Sequence, residues 1–223
     1  MAGQSPSPAA DLALERLCKT YWYPLYAYVR RQGCSPEDAQ DLTQGFFARL
    51  LKRRDLERVR QEKGRFRSYL LVSLKHYLVN EWQRARTEKR GGENCFIPLD
   101  EVLAEERYGM EPAEALTADR IFERRWALTL LDQVLARLKE EYHAAGNGPL
   151  FDRLKLWLSD ESEGLSQAQV ASELGMNENA VKQAFHRLRQ RYRLLVREEI
   201  ANTVAVPGDI EDELRHLIAV LRG

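Results

Sequence analysis

The chain has 223 residues, of which 34 are lysine or arginine and 34 are aspartate or glutamate, so its formal net charge is zero. This length suits one medium domain or two small ones. No run of about eighteen apolar residues occurs, and residues 1–10 lack the basic and apolar regions of a signal peptide. We therefore expect no membrane span and no secretory leader. Three cysteines without CxxC spacing argue against a disulfide framework or a zinc site and fit a reducing cytoplasm.

Apolar residues recur at helical spacing in the first half of the chain. Steps of three and four over residues 14–28 predict a first helix, which Gly33 ends. Ser35 is well placed to cap a second helix, and a third is predicted over residues 65–90. Alternation of period two is absent, so the sequence predicts an all-α fold without a sheet.

The second half predicts further helices, and a segment rich in acids, glycine and proline separates the two halves. Because helical periodicity restarts after this segment, we interpret it as a linker between two small domains. The alternative is a loop within one domain. The predicted division is a first domain at 1–92, an acidic linker at 93–120, a second domain at 121–204 and an amphipathic C-terminal tail at 205–223.

Residues 166–196 have the pattern of a helix-turn-helix. Ser166 and Gln169 have capping-box spacing, which predicts the start of a first short helix. Gly175 follows at the position of a left-handed cap, and Asn177 is a good N-cap for the next helix. Two short helices packed closely in this way allow the second to project into a DNA groove.

The exposed side of this second helix is predicted to be basic, since no acid occurs over residues 180–197. Its N-terminal residues are expected at base edges and its later arginines on phosphates. A solvated basic face on a packing helix is the alternative. The candidate base readers are Asn177, Glu178, Asn179, Lys182 and Gln183. The candidate phosphate contacts are His186, Arg187, Arg189 and Arg191.

The first domain contains a second basic segment. Residues 49–90 hold fourteen basic and five acidic residues, a local excess of nine positive charges, with aromatic residues interleaved. Unpaired bases require cationic backbone contacts and flat surfaces for stacking, and this segment offers both. We expect most of its aromatic residues, including Phe66 and Trp82, to be core residues, and only Tyr77 or His76 to reach DNA.

Three stretches resemble, in the family's order, segments of extracytoplasmic-function sigma factors of the sigma-70 family of bacterial RNA polymerase subunits. Residues 38–47, Asp-Ala-Gln-Asp-Leu-Thr-Gln-Gly-Phe-Phe, resemble the polymerase-binding helix. Residues 64–86 resemble the promoter-melting and minus-ten recognition helix, and residues 165–189 the minus-thirty-five module. The resemblance covers about residues 11–92 and 121–204.

The resemblance implies an alternative sigma factor that binds core RNA polymerase and directs promoter recognition and DNA melting, without catalytic residues or a cofactor. Docking on the largest polymerase subunit is implied for Asp38, Asp41, Gln44, Phe46 and Phe47. Contact with the minus-ten element is implied for Lys75, His76, Asn80, Arg84, Arg86, Lys89 and Arg90.

The sequence also suggests regulation. Gln40 replaces an acid that is usual in the motif, and a phosphate on the adjacent Thr43 would restore negative charge there. A regulatory kinase is therefore a candidate partner. An anti-sigma factor is another candidate, besides core polymerase and promoter DNA. The amphipathic tail is expected either to pack on the second domain or to bind a regulator, and no membrane partner is expected.

Two other functions compete with this one. A helix-turn-helix regulator that acts on duplex DNA without binding core polymerase would explain the second domain, but it leaves residues 38–47 and 65–90 without a role. An enzyme such as a metal-dependent nuclease is a weaker alternative. The four histidines are scattered without ligand spacing, and no nucleophile–base pattern or phosphate loop is present.

Overall fold

The computed structural model describes residues 8–52, 65–87, 101–109, 116–158 and 166–222. These described residues form nine α-helices and no strand, with one isolated antiparallel bridge between Arg65 and Val204. The predicted all-α fold is thereby confirmed. The helices are α1 (Pro8–Arg31), α2 (Pro36–Lys52), α3 (Phe66–Thr87), α4 (Glu101–Gly109), α5 (Ala118–Ala144), α6 (Gly148–Leu154), α7 (Gln167–Glu173), α8 (Glu178–Ala201) and α9 (Ile210–Arg222).

The helices divide into two compact units. The first unit comprises the chain up to Thr129 together with the segment from Thr203 onward, and the second comprises Leu130–Asn202. This grouping differs from the division predicted from the sequence, because the start of α5 and the C-terminal tail belong with the first unit. Within the described ranges, no helix is long and apolar enough to cross a bilayer.

Helix α1 is the centre of the first unit. Nine consecutive residues, Tyr21–Val29, are buried on every side of the helix. A helix that is apolar all round must be enclosed by its neighbours. The sequence pattern had predicted only one buried face for this helix. Gly33 ends the helix region with a left-handed φ of 90°, as its position in the sequence predicted.

Helices α2 and α3 pack together in the first unit. The predicted cap of α2 is present, since the Asp38 amide donates to Ser35 Oγ at 3.1 Å. Phe46 and Phe47 of α2 are buried. The ring centroids of Phe46 and of Tyr77 in α3 are 5.8 Å apart. Gly45 permits the close approach of the Tyr77 hydroxyl, which a Cβ at this position would overlap.

The predicted linker contains a helix, α4, that contacts α1. Glu105 accepts hydrogen bonds from Tyr26 at 2.5 Å and from Arg30 at 2.7 and 3.0 Å. Arg30 also lies over the ring of Tyr108 at 4.8 Å, and Ala104 is buried. The acids of this segment are therefore not all solvated, because Glu105 forms a specific ion pair within the first unit.

The second unit has the helix boundaries that the caps predicted. Ser166 and Gln169 form a reciprocal capping box at the start of α7. Gly175 has a φ of 62°, and Asn177 caps α8 by accepting the Ala180 amide at 2.8 Å. Val170 and Ala171 of α7 are buried, and so are Val181, Ala184 and Leu188 in the first half of α8.

Candidate nucleic-acid interface

Helix α3 carries three large apolar side chains on its exposed surface. Val72, Val79 and Trp82 are 52%, 48% and 41% exposed, respectively. The expectation that Trp82 is a core residue is wrong, because Leu70, Leu74 and Leu78 occupy the buried side of the helix instead. An exposed indole beside polar groups is available for stacking on a flat ligand.

A cavity of about 410 Å³ lies where α2 and α3 meet. It is lined by Arg49 of α2 and by Asn80, Gln83 and Arg84 of α3. Arg84 is exposed and forms an ion pair with Glu81 at 3.2 Å. Asn80 and Arg84 were predicted to contact the minus-ten element, whereas Arg49 and Gln83 were not assigned. Packing of α2 on α3 brings Arg49 to the cavity. Gln83 follows Asn80 by three residues, a spacing that puts both side chains on the same side of a helix, so the sequence could have indicated Gln83 as a site residue.

Tyr77 does not belong to the exposed surface. Its ring packs against Phe46, Arg49 lies 5.8 Å from its centroid, and its hydroxyl faces Gly45. Burial raises the pKa of Tyr77 to about 12, so the phenol stays neutral. Of the two residues expected to reach DNA, the exposed His76 is therefore the better placed.

The remaining predicted minus-ten residues have different environments. Lys75 Nζ lies 2.7 Å from Asp119 Oδ2, and this hydrogen bond raises the pKa of Lys75. A phosphate would therefore compete with Asp119 for the charge of Lys75. The side chain of Arg86, together with Lys89 and Arg90, lies outside the described residues.

The predicted polymerase-binding residues split into two groups. Asp38 and Asp41 are exposed on α2, whereas Gln44, Phe46 and Phe47 are buried. The assignment of these three to a docking surface is wrong for this conformation, because the two phenylalanines fill the contact between helices. The exposed surface of α2 is therefore acidic, and Glu37 adds a third carboxylate to it.

Thr43 is unavailable for the proposed phosphorylation. Its side chain is fully buried, and Oγ1 donates to the Ala39 carbonyl at 2.7 Å. A kinase must reach a free hydroxyl, and a buried phosphate would introduce an uncompensated charge. The structure therefore overturns the hypothesis of a regulatory phosphate at Thr43.

The exposed face of α8 is polar and basic, as predicted. A second cavity, of about 530 Å³, is lined by residues of this one helix. Glu178 and Arg189 are also exposed, and the Arg189 guanidinium lies 5.7 Å from the Phe185 centroid. The side-chain oxygen of Asn177 is engaged in the cap of α8. The cavity is lined by Asn179, Lys182, Gln183, His186 and Arg187.

Arg191 has a structural partner within the second unit. Its guanidinium donates to both carboxylate oxygens of Glu141 at 2.7 Å, which joins α8 to α5. The hydrogen bonds from Arg191 hold the pKa of Glu141 below its usual value. The predicted phosphate contact at Arg191 is therefore not the role that the structure assigns. Arg187 and Arg189 are the exposed arginines of the predicted set.

No group of three or more metal-ligating side chains occurs among the described residues. The side chains that line the two cavities are cationic and amide groups and the imidazole of His186. Such groups bind phosphates and bases by charge, hydrogen bonding and stacking. The geometry therefore favours nucleic-acid recognition.

Residues 17–88 match the family model described as Sigma-70 region 2. This segment includes most of α1 with α2 and α3, and so all four residues that line the cavity at Arg49 and Asn80. The matched residues are 72 of the 223, so the match shows a similarity of this segment to Sigma-70 region 2. A search of curated proteins and a search of solved structures found no match.

Proposed function

With the Sigma-70 region 2 match as the premise, we propose that the protein is an alternative sigma factor of the extracytoplasmic-function type. It binds core RNA polymerase, recognises a promoter through both units and opens the DNA around the minus-ten element. Such a protein acts in the cytoplasm, where polymerase and promoter DNA are found.

The observation that carries this proposal is the exposed surface of α3 inside the matched segment. Trp82 offers a flat apolar surface on α3, and Asn80 and Arg84 of the same helix line a cavity. A base that leaves the duplex loses stacking, and a surface that stacks and hydrogen-bonds it offsets this cost. Arg49 adds a cation from α2 that is suited to the neighbouring phosphate.

In the second unit, α7, Gly175 and α8 act as a helix-turn-helix. The left-handed glycine turns the chain between two capped helices, and α8 has an exposed basic face. Asn179, Lys182 and Gln183 near the start of α8 read base edges in the major groove, and Arg187 and Arg189 contact phosphates. This unit reads the upstream minus-thirty-five element in duplex form.

Binding to core polymerase depends on the acidic surface of α2. Asp38 and Asp41 are exposed and face solvent, so they are available to arginines of the polymerase. The buried phenylalanines hold α2 in place but make no contact with the partner. An anti-sigma factor that covers the same acidic surface would inhibit the protein by competition.

The test of this function separates DNA opening from polymerase binding. We expect the double variant Arg84→Ala/Arg86→Ala to bind core polymerase normally and to lose promoter opening, measured by permanganate reactivity of unpaired thymines. Arg120→Ala, an exposed arginine outside the matched segment, is the control and should open DNA like the unmodified chain. Loss of polymerase binding by the double variant would contradict the assignment, and DNA binding without any polymerase binding would favour a duplex-binding regulator.

A further inference from the structure

The C-terminal segment packs within the first unit, next to the start of the proposed DNA-opening helix. Helix α9 buries only two residues, Glu213 and Leu217. A fully buried carboxylate is unusual, because an isolated charge in a protein interior is strongly unfavourable. The neighbours of Glu213 therefore decide what this segment does.

Glu213 is paired with two arginines that flank the first residue of α3. Arg67 is 2% exposed, and its Nε donates to Glu213 Oε1 at 2.5 Å. Arg65 Nε lies 2.8 Å from Glu213 Oε2. A single carboxylate of the tail thus neutralises cations on both sides of Phe66.

A second carboxylate completes this buried cluster. Glu123 of α5 contacts Arg67, and His216 of α9 lies 3.0 Å from Glu123. Arg67 also lies over the ring of Trp126 at 5.0 Å. Two arginines therefore face two carboxylates, so removal of one carboxylate leaves a buried cation without full compensation.

The backbone adds a second, independent link. The first amides of a helix have no partner within the helix, and the Phe66 amide at the start of α3 donates to the Thr203 carbonyl at 3.1 Å. The adjacent residues, Arg65 and Val204, form the isolated antiparallel bridge. The tail therefore binds the N-terminus of α3 through its backbone as well as through Glu213.

We propose that residues 203–222 form a C-terminal clasp that positions α3 for promoter opening and stays closed while the DNA opens. Glu213 is a positioning residue in this proposal, since it acts through Arg65 and Arg67. The inference rests on the proposed function of α3. The clasp lies outside residues 17–88, so the matched segment would depend on residues far along the chain.

The first test compares Glu213→Gln with Glu211→Gln, the same change at an exposed position of α9. Loss of a buried ion pair shifts the ratio of docked to released clasp by roughly a hundredfold. We expect the fraction of promoters opened by Glu213→Gln to be about tenfold lower than for the unmodified chain. This decrease is smaller than the roughly hundredfold shift in the ratio of docked to released clasp, which sets its upper limit. Core binding should be unchanged, and Glu211→Gln should behave like the unmodified chain.

A pre-opened template distinguishes positioning from simple loss of structure. On a promoter with an unpaired bubble at the minus-ten element, the Glu213→Gln holoenzyme should initiate like the unmodified one, because the opening step is bypassed. A chain that is merely unfolded would fail on both templates. Failure on the bubble template by a variant that still binds core polymerase would overturn the proposal.

The second test locks the clasp with the variant Arg65→Cys/Val204→Cys. Paired residues of an antiparallel bridge have Cα separations that a disulfide can span. The reduced variant lacks the ion pair between Arg65 and Glu213, so we expect it to open promoters less well than the unmodified chain. We expect oxidation to restore opening, both in this variant and in a chain that also carries Glu213→Gln. Loss of opening on oxidation, reversed by reductant, would overturn the proposal because it would show that the clasp must release.

These outcomes are separable from a failure of the proposed function. If the unmodified chain neither binds core polymerase nor opens a promoter, the proposed function fails first. If the unmodified chain opens promoters and Glu213→Gln does so equally well, only the clasp is wrong.

Discussion

Gly45 of α2 and Tyr77 of α3 set how closely these two helices approach. A Cβ at Gly45 would overlap the Tyr77 hydroxyl oxygen, while the ring carbon that bears this oxygen would lie at 3.5 Å. We expect Gly45→Ala to destabilise the protein by about 1–3 kcal/mol, the usual cost of an added group in a packed interior. The free energy of unfolding in urea measures this effect.

The same substitution should change sign when Tyr77 is phenylalanine. Removal of the hydroxyl leaves ordinary van der Waals contact, and alanine is favoured over glycine inside a helix by up to about 1 kcal/mol. In the Tyr77→Phe background we therefore expect Gly45→Ala to be neutral or stabilising. An equal loss of stability in both backgrounds would show that the hydroxyl is not what restricts this position.

Phe47 and Asp41 should affect different properties. Phe47 is fully buried, so Phe47→Ala should lower the free energy of unfolding by about 3–5 kcal/mol. Asp41→Lys places a positive charge on the exposed acidic surface of α2, where it should weaken core polymerase binding by at least about tenfold. Titration with labelled core polymerase and thermal unfolding measure the two effects. A folded Asp41→Lys chain with unchanged affinity would remove α2 from the polymerase interface.

Arg189 and Arg191 are a matched pair on α8. Arg189 is exposed, so Arg189→Ala should weaken binding to all DNA sequences. The slope of log affinity against log salt concentration should become shallower by about one, because about one fewer counterion is released. Arg191 is held by Glu141, so Arg191→Ala should leave the salt dependence unchanged. It should instead destabilise folding by about 1 kcal/mol, allowing for solvent screening. The same salt slope for both variants would contradict the two roles.

Stability should depend on pH through Glu105. The pKa of Glu105 is lowered chiefly by the hydrogen bond from Arg30, with Tyr26 adding to the effect and burial opposing it. A lowered carboxyl pKa gives stability that is present above the ordinary value of 4.5 and lost as pH falls below it. Glu105→Gln should therefore reduce the loss of unfolding free energy between neutral pH and about pH 3. Glu140→Gln, a change at an exposed acid of α5, is the control, and an equal reduction there would contradict the assignment.

Local signals predicted the caps and the turn well. Ser35, Ser166, Gly175 and Asn177 act through groups a few residues away, so their roles follow from spacing alone. The all-α fold follows from helical periodicity for the same reason. The exposed basic face of α8 could likewise be predicted, because a helix fixes which residues share a side.

Long-range contacts could not be predicted in this way. The pairing of Arg67 with Glu213 joins residues 146 positions apart, and no periodic pattern carries that information. Helix α4 has only nine residues, too few for a clear period within an acidic segment. The burial of Gln44, Phe46 and Phe47 also depends on which helices enclose α2, and a motif does not show this.

Transcription in vitro tests the central claim most directly. Purified chain is combined with bacterial core polymerase and fragments of genomic DNA, and transcript start sites are mapped with and without the chain. We predict discrete start sites that require the chain and that disappear with Arg84→Ala/Arg86→Ala. The account is contradicted if the folded chain fails to associate with core polymerase and directs initiation from no fragment.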